Sequence, residues 1–162
     1  MCKILAIDPG NEHSAYAVLD EDLRPVVFGI EPNSLMLNIV RNADCEHLAI
    51  EMVASYGMPV GESIFETVFW IGRFWEQGYA NDNIVYIDKV YRKDVKMNLC
   101  QSMRAKDGNI KTALIDRFGE VGTKKNPGWF YGFKADIWSA YAVGVTYADM
   151  NLNFTLSQFS HK

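Results

Sequence analysis

The sequence predicts an α/β fold, a five-stranded mixed sheet flanked by helices. Two observations carry that reading. Three strand-like runs open the chain, and helical and strand-like spacings alternate after them. The first run, residues 2–8 (CKILAID), is almost continuously apolar, as expected of a central strand covered on both faces.

The remaining elements follow in order. Pro9-Gly10 turns the chain, and HSAYAVLD (13–20) alternates as a second strand. After the DEDLRP turn, VVFGIE (26–31) completes a three-strand meander. The apolar spacing then turns helical over 34–40, and HLAIE (47–51) is a short buried strand. A helix between the third and fourth strands suits a right-handed crossover, which sets the fourth strand parallel to the first. A glycine-containing loop, VASYGMPVGES, leads into a helix over 62–77, and NIVYID (83–88) is the fifth strand. Two basic helical stretches follow, divided near Asp107-Gly108-Asn109, and GTKKNPGWFYGF is rich in turn residues. A final helix covers 135–150. Residues 1–150 form one domain, with 151–162 as a C-terminal tail.

The net charge of −4 conceals an asymmetry. Residues 89–134 carry a balance of +7 and the rest of the chain −11. A basic segment in an acidic chain either faces a polyanion or is a solvated helical surface. Cys2, Cys45 and Cys100 stand singly, without metal-ligand pairing or a disulfide-scaffold count. No apolar run reaches the ~20 residues of a membrane span, and the N-terminus lacks the layout of a signal peptide. These features predict a cytoplasmic protein with no membrane partner.

The chemistry is read from strand ends. LAID closes at Asp8 and LAIE at Glu51, and parallel neighbours lie about 4.8 Å apart. Two carboxylates that close repel unless a proton or a cation lies between them. Hard oxygen ligands select Mg2+ or Mn2+. A third acid, Asp136 in FKADIWSAYAVG, falls at the start of the last helix, where the helix dipole favours a carboxylate. Each acid alone has an ordinary reading as a turn or helix-end residue; their joint order is the signal. His13, His47 and His161 have no metal-ligand spacing among themselves.

IDPG after the first strand, AIE after the fourth and KADxxSAxAVG on the last helix resemble the RuvC-type Holliday-junction resolvases, closest to their phage-encoded branch. Those enzymes belong to the ribonuclease H-like superfamily of nucleases. The resemblance spans residues 3–146 and implies a ribonuclease H-like fold, a three-strand meander plus two parallel strands. It implies metal-dependent endonuclease chemistry on Holliday junctions in DNA recombination and repair, with paired nicks made by a homodimer. Asp8 would bridge two Mg2+ or Mn2+ ions, Glu51 would join one and Asp136 the other. The family carries a further acid one turn beyond Asp136, where this chain has Ser139, a neutral and poorer ligand. Asp88, expected to end the fifth strand, would add field from about 10 Å away. No organic cofactor is implied, and a phage-encoded protein would act in the bacterial host cytoplasm.

The resemblance gives the basic segment a role. Arg92, Lys93, Lys96, Arg104, Lys106, Lys111, Lys124, Lys125 and Lys134 would contact phosphates of four-way or branched DNA. Tyr56, in the loop after Glu51, would stack on an unpaired base. On the 62–77 helix, Ile64, Phe65, Val68, Phe69, Ile71 and Trp75 form an arc able to cover the sheet. Trp70 and Phe74 fall instead among Glu62, Ser63, Glu66 and Thr67, which marks them as candidate dimer contacts. Two other functions remain open: a broader nuclease for branched or flapped DNA, and a catalytically weak junction-binding protein. An actin-like ATPase, which also begins with Asp-x-Gly, needs two such domains and is excluded by size.

Overall fold

The computed structural model describes residues 4–152. Five strands and five helices run in the order β1 (Ile4–Asp8), β2 (His13–Leu19), β3 (Pro25–Pro32), α1 (Asn33–Arg41), β4 (His47–Met52), α2 (Glu62–Tyr79), β5 (Tyr86–Tyr91), α3 (Arg92–Cys100), α4 (Asp107–Phe118) and α5 (Ile137–Asn151). They form one sheet of order β3-β2-β1-β4-β5. β1 pairs antiparallel with β2 and parallel with β4, and β4 pairs parallel with β5. The predicted meander and its parallel extension are therefore present, with β1 at the centre.

Alternation along the strands sorts the core into two layers. Ile4 and Ala6 of β1, Ala15, Ala17 and Leu19 of β2 and Ala49 of β4 face α5, with α3 and α4 beyond it. Leu5, Ile7, Leu48 and Ile50 face α1 and α2, where they meet Met36, Val40, Ile71 and Phe74. The α5 side carries small residues, so that helix comes very close. A Cβ added at Gly144 would stand 3.0 Å from the side chains of both Ala6 and Leu19. A larger residue there would need Ala6 and Leu19 to give way beneath the helix that begins beside Asp136.

The turn-rich stretch before α5 is held by aromatic packing. Phe130 is fully buried and packs against Phe118, Phe133, Trp138 and Tyr141. The Trp129 indole N–H donates to the Tyr141 hydroxyl at 3.0 Å, and that hydroxyl donates to the Leu23 carbonyl at 2.8 Å. On the same side, Arg117 of α4 holds Asp149 of α5 through two hydrogen bonds, at 2.6 and 2.9 Å. Asn98 of α3 reaches the same carboxylate at 2.8 Å. Helices α3 and α4 are thus fastened to α5.

Three expectations are corrected. The fifth strand is Tyr86–Tyr91, not 83–88, so Val90 rather than Asp88 lies opposite Glu51. Asp88 pairs with Ala49, further down the sheet. The two basic helices separate over residues 101–106, and Asp107 opens the second one. The orientation of α2 also differs. Phe74 is fully buried and Thr67 nearly so, whereas Phe65 is 65% and Phe69 60% exposed. Apolar residues surround this helix on almost every side, so its wheel contains more than one arc that could cover the sheet. The structure selects the one through Thr67, Ile71, Phe74 and Gly78. Gly78 permits that contact, since a Cβ there would stand 2.4 Å from Leu48.

Cys100 is a free thiol, whereas Cys45 is disulfide-bonded, a departure from three separate thiols. Among the described residues no helix is long and apolar enough to cross a membrane. Most of the expected 151–162 tail lies outside the described residues.

Candidate active site

The site follows from strand parity and register. Ile4 and Ala6 face α5, so Asp8, two residues on, points the same way. Ala49 also faces α5, so Glu51 does too. Ile7 pairs with Ile50, which sets Asp8 and Glu51 side by side where the strands end. Asp136 is the residue from which α5 starts, and its side chain makes no capping hydrogen bond. Its carboxylate is not spent on the helix end. Ala135, just before it, sits in the left-handed region at φ 45°, a conformation uncommon for a residue with a side chain.

The three acids share a cavity of about 500 Å³ with Arg92, Lys96, Ala105, Lys106, Asp107 and Ser139. Its electrostatics are those of crowded anions. Burial, then the charge of Glu51, pushes the Asp8 carboxyl from 3.8 up to about 9. Its hydrogen bond to Glu51 and the charge of Asp136 act in the same direction, and Arg92 opposes them. Glu51 is also raised by burial, while the hydrogen bond from Asp8 and the Arg92 guanidinium pull it back. Protonation of the two is therefore linked, and burial side by side favours one proton between them over two charges.

Among the described residues, no three His, Cys, Asp or Glu side chains stand close enough to enclose a metal ion as they are placed. The donor set nevertheless fits a hard divalent cation in kind. Two carboxyl groups crowded at the ends of paired strands present oxygens that a cation could share, and Asp136 borders the same cavity uncommitted to its helix.

The predicted cations divide into groups. Arg92, Lys96 and Lys106 line the acid cavity. Lys111 and Lys134 line an adjoining cavity of about 380 Å³, which shares Arg92, Asp107, Asp136 and Ser139 with the first. The Lys111 ammonium lies over the Trp138 ring, 4.9 Å from its centre. Lys93, Arg104, Lys124 and Lys125 are exposed and line neither cavity. Tyr56 is 66% exposed at φ 49°, in the loop between Glu51 and α2. Asp88 is absent from the acid cavity and lines another at the opposite end of the sheet. Phe74 cannot serve as a dimer contact because it is buried under α2. Trp70 is half-buried, packed on Phe74 with ring centres 6.0 Å apart and covered by the Arg73 guanidinium at 4.4 Å.

Asp107 was missed as a site residue. It forms an ion pair with Arg92, which ties the start of α4 to the start of α3 at the cavity mouth. Its only sequence signal was an acid in the first turn of a helix, a common placement with no functional content.

A central meander extended by two parallel strands, with acids at the ends of β1 and β4 and a third where α5 begins, defines the ribonuclease H-like α/β class. Solved structures of Holliday-junction resolvases share this fold. RuvC of T. thermophilus, in complex with Holliday junction substrate, matches at a TM-score of 0.67 and 17% identity, over 91% of this chain and 93% of that one. A second Thermus thermophilus RuvC structure matches at 0.65 and 15% identity, over 91% and 95%. The yeast mitochondrial Holliday junction resolvase Ydc2 matches at 0.59 and 14% identity, over 98% and 84%. No family model matches the sequence, and no curated protein does.

Proposed function

We propose that the chain is a metal-dependent endonuclease that resolves four-way DNA junctions. The observation that carries this reading is the convergence of Asp8, Glu51 and Asp136 on one cavity rimmed by Arg92, Lys96 and Lys106. Similarity of fold to junction resolvases supports it.

Asp8, Glu51 and Asp136 would hold Mg2+ or Mn2+, with Ser139 contributing a neutral oxygen. The bound ions would supply a water nucleophile at neutral pH and neutralise charge on the leaving oxygen of an in-line displacement. The chain's own residues perform the remaining tasks. The Asp8–Glu51 pair would lose the proton its crowding favours, leaving two anionic donors. Lys96 and Lys106 draw the phosphate backbone over the cavity, and Arg92 screens the acids until substrate and metal arrive. Lys111 and Lys134 extend this basic surface, and Lys93, Arg104, Lys124 and Lys125 belong to its periphery. Tyr56, exposed in the loop after Glu51, would stack on an unpaired base at the junction centre.

Two opposed scissile strands require two sites, hence a homodimer. The surface best suited to it is the exposed apolar face of α2, with Phe65, Val68 and Phe69, flanked by Trp70.

A second reading, junction binding with weak cleavage, is favoured by the lack of a ready-made three-acid metal cage among the described residues and by the neutral Ser139. A panel of four-way, forked and flapped substrates, titrated with Mg2+ and Mn2+, separates the readings. Paired nicks in the four-way substrate support resolution, and equal cutting of flaps supports a broader branched-DNA nuclease. Binding without a cut at saturating metal removes the enzyme.

A further inference from the structure

The turn that carries the chain away from Asp8 is held by two buried polar residues with no part in the chemistry above. The Gly10 amide donates to the Ser14 hydroxyl oxygen at 3.1 Å, and the Ser14 hydroxyl donates to Asn33 Oδ1 at 2.6 Å. Asn33 Nδ2 then donates back to the Gly10 carbonyl at 2.9 Å. These bonds close a ring that engages both backbone polar groups of Gly10. A further bond, from the Asn33 amide to the Glu12 carbonyl at 2.9 Å, fixes the start of α1 to the same turn. Ser14 and Asn33 are each only 1% exposed. The turn has no slack, since a Cβ on Gly10 would stand 2.2 Å from the His13 carbonyl oxygen.

Buried polar pairs of this kind add little to stability compared with well-packed apolar residues of the same shape. Their gain is geometric. Ser14 has the strand parity of Tyr16, which faces α1 and α2, so it lies on the opposite side of the sheet from the Asp8 carboxyl. We propose that Ser14 and Asn33 are positioning residues that clamp the Pro9-Gly10 turn, fix the exit direction of β1, and thereby aim Asp8 at Glu51 and the cation they would share. The proposal rests on the metal-dependent reading of the acid cavity.

The test is Mn2+ binding to the full chain without DNA, followed by the electron paramagnetic resonance of free Mn2+. Ser14→Ala and Asn33→Ala each weaken Mn2+ binding at least about tenfold, as loss of a partner that orients a ligand does. The control is Asn81→Ala, which removes a buried amide bound to the carbonyls of Val40 and Ala43 at 2.9 and 3.0 Å, near the opposite end of the sheet. It lowers the thermal midpoint by an amount similar to the clamp variants and leaves Mn2+ affinity within about twofold, since the site's ligand-orienting partners are untouched. All titrations are run well below each variant's midpoint, with circular dichroism confirming that the protein is folded. Unchanged Mn2+ affinity in folded Ser14→Ala and Asn33→Ala overturns the proposal, as does an equal loss in Asn81→Ala. Wild-type protein that binds Mn2+ yet cuts no junction refutes the nuclease and leaves the clamp to its own titration. Wild-type protein that binds no Mn2+ refutes both.

Discussion

The two ends of the sheet carry similar residue types and do opposite things with them. Where β1 and β4 finish, Asp8 and Glu51 are pressed together, which raises the Asp8 carboxyl, and are rimmed by Arg92, Lys96 and Lys106. Where β4 and β5 begin, Glu21, Glu46 and Asp88 border a larger cavity of about 1070 Å³ among Trp75, Tyr79, Tyr86 and Tyr147. There the buried polar side chain is satisfied by its neighbours. His47 bonds the Tyr147 hydroxyl at 2.8 Å and stacks on Tyr86 with ring centres 4.9 Å apart. Size therefore does not mark the site. Buried carboxylate crowding does, because Asp8 and Glu51 are desolvated against each other whereas Glu21, Glu46 and Asp88 stand exposed to water.

The sharpest way to break this contrast is a pair of isosteric changes. Asp8→Asn lowers the nicking rate of a four-way junction by at least about 1000-fold and retains junction binding. Asp88→Asn, in the larger cavity, leaves the rate within about twofold, being outside the reacting groups. Rates are read from single-turnover cleavage of labelled junctions. Equal losses in the two variants would erase the distinction between the ends.

A second pair contrasts the buried and open sides of α2. Phe74→Ala costs about 3–5 kcal/mol of stability, because a fully buried ring leaves a cavity under the sheet. Phe69→Glu, at 60% exposure, costs little in stability and shifts the sedimenting species from dimer to monomer. Denaturant unfolding and sedimentation velocity report the two effects separately. An unchanged mass in Phe69→Glu would remove α2 as the dimer surface.

These pairs also mark where the sequence was legible. Asp8 and Glu51 could be read because each ends an apolar run, and parallel pairing of such runs leaves little freedom in where their ends fall. The fifth strand could not be placed as well. It is an edge strand, and its true span YIDKVY carries two adjacent charges at its middle, whereas the flanking Ile84-Val85 looks more strand-like on composition. That displacement moved Asp88 to the wrong end of the sheet. The face of α2 was ambiguous because aromatics encircle it, and the choice is made by Leu48 pressing on Gly78. Asp107 reaches the cavity through the packing of α3 and α4, where Arg92 pairs with it and Arg117 and Asn98 bind Asp149, a tertiary arrangement with no local signature.

The cations offer a milder test of the same comparison. Lys96→Gln and Lys106→Gln, inside the cavity, each reduce the salt dependence of junction affinity by about one unit of slope. Lys124→Gln and Lys125→Gln, exposed beyond the cavity, change it by less. Fluorescence anisotropy across a salt series measures the slopes. Identical slopes for all four variants would mean that the basic segment binds DNA as a diffuse surface.

The smallest effect concerns the shared proton. The Asp8 carboxyl is raised from 3.8 to about 9, so between those values the folded chain holds a proton that the unfolded chain has released. That preference favours folding fully below about pH 4 and fades as pH rises toward about 9. Metal-free protein therefore loses stability over this window. Asp8→Asn, uncharged throughout, flattens the slope and raises the thermal midpoint at pH 8 by about 3–6 °C. The opposite end adds nothing to the slope from Tyr147, whose hydroxyl is pushed to about 12 by burial and keeps its proton across the window. Saturating Mg2+ reverses the trend in the wild-type chain, because a cation competes with the proton and gains as protons become scarce. Differential scanning calorimetry at several pH values, with and without Mg2+, follows both slopes. A metal-free wild-type chain that grows more stable between pH 5 and pH 9 would mean that Asp8 is ionised from the start, and that the crowding which distinguishes this end of the sheet is already relieved by Arg92.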